Sequence, residues 1–252
     1  MKIAASGSRC TRLARGSFAA AFAASAGLGS ASCGPGVATP VPEPPTLRLD
    51  HVGPAGKDSN PQPAANGTHI YGSPGAAPVG AIVRVTNLDG KAPPSVANVV
   101  ADGSFDVVLN VVSGQELRFD WLRGSERGAP QDAHFVVDAP TFHLEPSARF
   151  ACVRLTPGFA VDFGITSLQT LVLGDDCAAT VSLSGPRSRL GLPDFTLATA
   201  LPLDVAPSGE AALSLSFRRS QTTAREDTLF FDVSNEGTII RYPITLSAPA
   251  SP

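Results

Sequence analysis

The fold is decided by residues 210–217, which read Glu-Ala-Ala-Leu-Ser-Leu-Ser-Phe. Here Leu213, Leu215 and Phe217 alternate with small or polar residues. A period of two places every second side chain on one face of a β-strand, so the pattern predicts a strand that is buried on one face. Burial of each of the three side chains is worth roughly 1.5–3 kcal/mol.

The same alternation recurs on both sides of this stretch, between clusters of Gly, Pro, Asn and Asp. In residues 116–121 the apolar face carries Leu117, Phe119 and Trp121, and the polar face carries Glu116, Arg118 and Asp120. Beyond residue 45 we find no helical period longer than two turns, so the chain is predicted to be all-β, built of β-sandwiches. Pro243 interrupts the strand Tyr242–Leu246, which predicts an edge strand because proline cannot donate to a neighbour.

Composition limits the classes of function. The 252 residues are 43% hydrophobic and 16% charged, with a formal net charge of −3. This apolar content is too high for an intrinsically disordered chain, and a nucleic-acid binder needs a basic excess that is absent here. The length suits one large or two small domains.

The N-terminus has the parts of a secretory signal. Residues 1–16 carry four basic side chains and no acid, and residues 17–32 are uncharged and rich in alanine. We therefore predict a signal peptide over residues 1–32, with an unstructured alanine-rich tail as the alternative. The segment Ser30-Ala31-Ser32-Cys33 resembles the lipobox of bacterial lipoproteins, although Ser30 stands where that family usually has leucine.

The lipobox resemblance implies a lipid anchor on Cys33, and the alternative is a plain cleaved signal that leaves Cys33 as a thiol. Residues 33–45 are rich in proline, which predicts a stiff, extended tether. The expected location is the outer membrane or surface of a Gram-negative bacterium, otherwise the periplasm or the medium. In an exported chain the pair Cys152 and Cys177 predicts one disulfide, with two separate buried thiols as the alternative.

Two families of module resemble the mature chain. Residues 69–123 are similar to bacterial Ig-like modules, and residues 150–248 to Hydin-type (ASH-like) Ig-like domains. The first resemblance rests on Ile70-Tyr71-Gly72, Gly80–Thr86, Val100–Phe105 and Gly114. The second rests on Leu155-Thr-Pro157, Val161–Gly164, Leu173-Gly174, Ala206–Glu210 and Tyr242–Leu246. They imply two consecutive Ig-like sandwiches, over residues 46–138 and 150–248, with a linker over residues 139–149.

Motifs that carry chemistry are missing from the sequence. It contains no Gly-x-Ser-x-Gly elbow, no phosphate-binding glycine loop, no His-Glu-x-x-His and no calcium loop. We therefore predict no catalytic residues, no metal and no cofactor. His143 and Glu145 share one face of an extended segment and offer two metal ligands, but a solvated pair is the commoner arrangement. A Ser/His/Asp set assembled from distant segments stays an alternative.

Candidate interaction residues come from a basic cluster and an aromatic ring. Arg218, Arg219 and Arg225 form a basic patch at a predicted hairpin tip, which is either a partner site or a solvated loop. Phe230 is predicted on the outward side of its strand. Trp121 is expected in the core, with an exposed sugar-stacking platform as the alternative.

These observations predict an exported, lipid-anchored envelope protein that acts as a non-catalytic binding or structural module, in adhesion or as a scaffold. The expected partner is an unknown envelope protein or a polysaccharide, together with the membrane through Cys33, and no nucleic acid. The alternative is a carbohydrate-binding or hydrolytic module on a β-sandwich. A subunit of a larger assembly is a third class, for which an exposed apolar patch would be the sign.

Overall fold

Strands make up nearly all the regular structure in the computed structural model, which describes residues 46–54, 67–218 and 224–250. In these ranges no α-helix is present, so the all-β prediction is confirmed. A short 3-10 helix, Leu49–His51, precedes the first strand. Residues 1–32, predicted to be a signal peptide, and residues 33–45, predicted to be a tether that begins at Cys33, lie outside the described residues.

The first half of the described chain forms two sheets. Its strands are β1 (Val52–Gly53), β2 (Thr68–Gly72), β3 (Ile82–Asn87), β4 (Ser95–Asn98), β5 (Phe105–Leu109), β6 (Glu116–Arg123), β7 (Glu126–Arg127), β8 (Gln131–Asp138) and β9 (Thr141–Pro146). Sheet I has the order β1-β2-β5, and sheet II the order β4-β3-β6-β8-β9, with β7 paired to β6. Every strand pair in these two sheets is antiparallel.

The second half also forms two sheets. Its strands are β10 (Val153–Thr156), β11 (Ala160–Asp162), β12 (Leu168–Asp175), β13 (Val181–Ser188), β14 (Phe195–Leu197), β15 (Leu203–Val205), β16 (Glu210–Phe217), β17 (Arg225–Asn235) and β18 (Thr238–Ala248). Sheet III has the order β11-β18-β17-β13-β15, and sheet IV the order β10-β12-β16-β14. The β11–β18 pair is parallel.

Each half has its own hydrophobic core between its two sheets. In the first, Ile70 and Phe105 of sheet I pack with Phe119 of sheet II. In the second, Leu215 of sheet IV packs with Phe231 of sheet III. The alternating apolar residues of the sequence supply both cores, so the halves are β-sandwiches.

The predicted disulfide is confirmed. Cys152 and Cys177 are bonded, with an S–S distance of 2.01 Å. The bond ties the start of β10 to the segment that follows β12, beside the second core. Closing a loop of sequence separation 25 is worth about 3.5 kcal/mol on the chain-entropy account.

The sandwiches are stacked face to face. The outer face of sheet II lies against the outer face of sheet III, where the Arg118 guanidinium of β6 donates to the Pro243 carbonyl and the Thr245 hydroxyl of β18. The layers therefore follow the order I, II, III, IV. This arrangement buries the polar face of β6, which was expected to face solvent: Glu116, Arg118 and Asp120 are all buried.

Two further expectations were wrong. Residues 139–149 were predicted to be a linker, but they contain β9, which pairs with β8 and completes sheet II. The strand with Pro243 was predicted at a sheet edge, but β18 has β17 on one side and β11 on the other. β11 pairs with Thr245–Ser247, beyond Pro243, so the proline does not interrupt that pairing.

Candidate functional site

The most distinctive chemistry lies between sheets II and III, in a set of arginines and carboxylates that we call the ionic seam. Its members are Arg84, Asp89, Glu116, Arg118, Asp120, Asp132, Arg149, Arg189, Glu226 and Arg241. Successive side chains of β3, β6 and β8 point to opposite faces of sheet II. Their polar residues therefore point away from the first core and towards β17 and β18, where they form the seam.

Arg118 is at the centre of the seam, with only 1% of its surface exposed. Its Nε and Nη2 donate to both carboxylate oxygens of Asp132, at 2.7 and 2.8 Å. Nη1 donates to the Phe159 carbonyl and to Thr245 Oγ1, and Nη2 also donates to the Pro243 carbonyl. A guanidinium has five N–H donors, so every donor of this buried cation is used.

Arg149 lies between the two sandwiches in sequence and binds both. Its Nη2 is 2.7 Å from Asp132 and 3.0 Å from Glu116, and its guanidinium lies over the Tyr242 ring, 5.4 Å from the centroid. Burial by itself raises the pKa of Asp132, but the Arg118 and Arg149 guanidiniums outweigh that effect and hold the pKa below its usual range.

Arg241 of β18 binds two carboxylates of the first sandwich. Its guanidinium is 2.6 Å from Glu116 and 2.6 Å from Asp89. Burial raises the pKa of Asp89. The Arg241 guanidinium and the backbone N–H of Glu116 lower it by more than burial raises it, so the net shift of the pKa is downwards. Arg241 therefore ties both carboxylates to β18.

Arg84 and Arg189 use different contacts. Arg84 of β3 pairs with Asp120 of its own sheet and with Glu226 of β17, at 2.9 and 2.7 Å. The Arg189 guanidinium donates to the carbonyls of Gly90 and Ala92, each at 2.9 Å. Both ion pairs and hydrogen bonds to the backbone thus join the sandwiches.

The seam joins the sandwiches and offers no free group for chemistry. Each of its carboxylates is bound by at least one arginine of the seam, so none is placed as a proton acceptor for a ligand. Sequence reasoning missed this function. The sequence carries no signal for it, because alternating charges at Glu116, Arg118 and Asp120 are equally typical of a strand face that is in contact with water.

Two of the three arginines of the predicted basic patch are among the described residues. Arg218 is exposed at the end of β16, and Arg219 lies outside the described residues. Arg225 begins β17 and is partly buried, with its Nε 3.6 Å from Asp194. The predicted hairpin is wrong, because β16 belongs to sheet IV and β17 to sheet III.

Phe230 and Trp121 are both buried, which contradicts the expected exposure of Phe230 and confirms the expected place of Trp121 in the core. Phe230 is 5% exposed, because it points out of sheet III into the stack and lies under the Arg241 guanidinium, 4.9 Å from the ring centroid. Its proposed role in an exposed interaction surface is therefore wrong. Trp121 is 1% exposed within the first core, so it is not a sugar-stacking platform.

The histidines with carboxylate neighbours lie on outer sheet faces. His69 Nδ1 is 3.2 Å from Asp106 on sheet I, and His143 Nδ1 is 2.8 Å from Asp138 on the β8–β9 hairpin. Within the described ranges no three His, Cys, Asp or Glu side chains converge on a point that would hold a metal.

Two open depressions lie side by side at one end of the first sandwich, of about 270 and 360 Å³. Both are lined by Asn87 and Asn110. The Asn87 amide donates to Gln115 and to the Asn110 carbonyl, and Gln115 accepts from the backbone N–H of Val112. These amides are thus bonded to one another and give little support for a sugar site.

Exposed aliphatic side chains lie on β3, on β4 and just after β4, and we call this set the β4 patch. It consists of Ile82, Val96 and Val100, and Val96 is 62% exposed. Ile82 is registered opposite Asn98, so Val96 is its diagonal neighbour, and Val100 follows two residues after the end of β4. β4 is one of the two edge strands of sheet II.

No family model matches this chain, and no curated protein does. Among solved structures it is similar to the VesB protease of Vibrio cholerae, with 10% identity and a TM-score of 0.36 over 75% of this chain and 65% of that one. A protein of unknown function from Porphyromonas gingivalis W83 gives 12% identity and a TM-score of 0.31 over 72% and 90%. The secreted serine protease VesC of Vibrio cholerae gives 9% identity and a TM-score of 0.32 over 68% of this chain and 46% of that one. At these TM-scores no function transfers.

In the described part of the chain, no helix has the length and apolar character needed to cross a membrane.

Proposed function

We propose that this chain is an exported, lipid-anchored protein of the bacterial cell envelope that acts as a non-catalytic binding or structural module. The observation that carries the proposal is the β4 patch, a set of exposed aliphatic side chains at a sheet edge of two stacked sandwiches. Exposed apolar patches mark association sites, and an open edge offers unpaired backbone groups to a partner strand. A protein of the envelope is the partner that this chemistry favours.

A carbohydrate-binding or hydrolytic module is the alternative function. Trp121, the ring that would have to be exposed to stack on a sugar, is buried. The amides of Asn87 and Gln115 that line the open depressions are bonded to each other. No contact of the described residues favours this alternative.

The anchor is tested by Cys33→Ser, with Cys10→Ser as the matched control. If Cys33 carries the lipid, Cys33→Ser moves the protein from the membrane fraction to the soluble fraction, while Cys10→Ser leaves it with the membrane. Fractionation of the expressing cells measures the difference. Retention of the Cys33→Ser protein on membranes would contradict the anchor.

The binding role is tested by placing a photo-crosslinking residue at Val96, and for comparison at Ile239, which is also exposed but lies at the β17–β18 hairpin. Irradiation of intact cells should give a discrete adduct from position 96 only. No adduct at position 96, or the same adducts from both positions, would contradict a partner at the β4 patch.

A further inference from the structure

A turn at one end of the second sandwich carries two exposed aliphatic side chains and lies beside an exposed arginine. Ile165, between β11 and β12, is 91% exposed, and Leu168, the first residue of β12, is 68% exposed. The N–H of Phe217 donates to the carbonyl of Ser167 at 2.9 Å, which places the next residue, Arg218, beside the turn. We call Ile165, Leu168 and Arg218 the tip cluster.

Hydrogen bonds hold the backbone of this turn. The N–H and the hydroxyl of Thr166 both donate to the Phe163 carbonyl, at 2.8 and 2.7 Å. The N–H of Gly164 donates to the Asp162 carboxylate at 2.9 Å. Because the turn is ordered in this way, the Ile165 side chain stays in contact with water unless another surface covers it.

Arg218 adds a positive charge that the described residues do not neutralise. Its side chain is exposed, and no carboxylate in the described ranges forms an ion pair with it. Arg225, which also belongs to the predicted basic patch, lies 3.6 Å from Asp194. Apolar side chains that enter the acyl boundary and cations that meet anionic headgroups together drive binding at a membrane surface. The tip cluster combines both kinds of side chain.

The turn lies at the end of the stack where β3 begins. Phe163, which follows β11, donates its N–H to the Ser247 carbonyl at 2.8 Å. Ser247 is registered opposite Glu226 of β17. Glu226 in turn accepts from Arg84, the third residue of β3, at 2.7 Å. These contacts connect the turn of the second sandwich to the beginning of β3 in the first.

The described chain begins at the same end of the stack. The N–H of Arg48 donates at 2.8 Å to the carbonyl of Ala76, in the segment that leads into β3. Residues 33–45 separate the predicted lipid site from Thr46, and a chain of that length spans at most about 45 Å. A lipid on Cys33 would therefore keep this end of the stack close to the membrane.

We propose that the tip cluster docks on the anionic surface of the membrane to which the chain is anchored. Ile165 and Leu168 enter the acyl boundary, where their side chains leave water, and the Arg218 guanidinium binds lipid phosphates. This inference rests on the proposed function, because the anchor on Cys33 brings this end of the stack to the membrane. Docking then fixes which end of the two sandwiches faces the bilayer.

The test places a tryptophan in the tip cluster and measures its quenching by brominated acyl chains in vesicles of phosphatidylglycerol and phosphatidylethanolamine. The full chain carries Ile165→Trp, and the buried Trp121 gives the same background in every variant. The matched control is Ile239→Trp, because Ile239 is 68% exposed but lies at the β17–β18 hairpin, at the other end of β18 from Ser247. We expect quenching at position 165 only. No quenching at position 165, or equal quenching at both positions, overturns the proposal.

The contribution of each side chain is measured by co-sedimentation of Cys33→Ser protein with the same vesicles, so that the anchor adds nothing. In this background Ile165→Ser should lower the partition coefficient about 10-fold, because an aliphatic side chain no longer leaves water. Arg218→Ala should lower it about fivefold. Arg154→Ala is the charge control and should change little, since Arg154 is bound to Asp176. Equal effects of the two arginine substitutions would contradict the role of Arg218.

Failure of the docking and failure of the anchor give different results. If the parent protein sediments with vesicles at low lipid concentration but position 165 is not quenched, the docking surface is wrong and the anchor stands. If the parent protein needs as much lipid as Cys33→Ser, yet position 165 is quenched, the anchor is wrong and the docking surface stands.

Discussion

Replacing Arg118 with alanine removes the five hydrogen bonds that this guanidinium makes to Asp132, Phe159, Pro243 and Thr245. It also leaves the buried carboxylate of Asp132 with Arg149 as its only remaining partner in the ionic seam. Because the position is buried, water does not replace the lost donors without opening the stack. We therefore expect a large loss of stability.

The magnitude follows from burial. Removing one partner of a buried ion pair costs about 3–5 kcal/mol, mainly because an uncompensated charge stays behind. The residual bond from Arg149 to Asp132 places Arg118→Ala towards the lower end of this range. Arg123→Ala is the matched control, since Arg123 is on the same strand and pairs with Glu126 at 2.7 Å, but in an exposed position. Such pairs are worth about 0–1 kcal/mol.

The assay is equilibrium unfolding in urea with the disulfide intact. The single tryptophan, Trp121, reports on the first core, and far-UV circular dichroism reports on all sheets. The free energy of unfolding of Arg118→Ala should fall by several times the change seen for Arg123→Ala. Equal effects of the two substitutions would refute the conclusion that buried ion pairs hold the sandwiches together.

Two further predictions concern single positions. Gly128→Ala should destabilise the protein by about 1–3 kcal/mol, because the added Cβ overlaps the buried indole ring of Trp121. Gly53→Ala is the control: no atom lies within 4 Å of its new Cβ, so the free energy of unfolding should change little. Urea unfolding followed by tryptophan fluorescence compares the two variants, and equal effects would contradict the packing. The pKa of Asp132 is lower in the folded state than in the unfolded state. Its stabilising contribution is therefore present at neutral pH and is lost as the pH falls below about 4. Asp132→Asn should make the free energy of unfolding less dependent on pH in the acid range, and an unchanged dependence would contradict the pairing of Asp132 with the arginines.

Alternation in the sequence predicts the cores well, because burial of one strand face is a local property. Leu117, Phe119 and Trp121 are all buried, as their spacing indicates, and so is Leu215. The disulfide was likewise predicted from cysteine count and export alone. Each of these features depends on residues close in the chain, or on a choice among very few partners.

What covers a polar strand face could not be predicted in the same way. Glu116, Arg118 and Asp120 have the spacing of a solvated face, and only the arrival of β17 and β18, more than a hundred residues later in the chain, buries them. The exposure of Phe230 was predicted wrongly for the same reason, because the sequence near an outward-facing aromatic residue does not show which distant strand will cover it. The pairing of His134 with Glu145 depends on the register of β9, a strand that the sequence analysis assigned to a linker.

The charged character of the face between the sandwiches has a consequence for biosynthesis. A chain that leaves the ribosome N-terminus first has every strand of the first sandwich, ending at Pro146, before β17 and β18 are made. In that interval the waiting surface of sheet II displays carboxylates and guanidiniums, which water hydrates strongly. An apolar surface at the same place would promote aggregation of nascent chains, whereas this charged surface stays hydrated until sheet III is made and covers it.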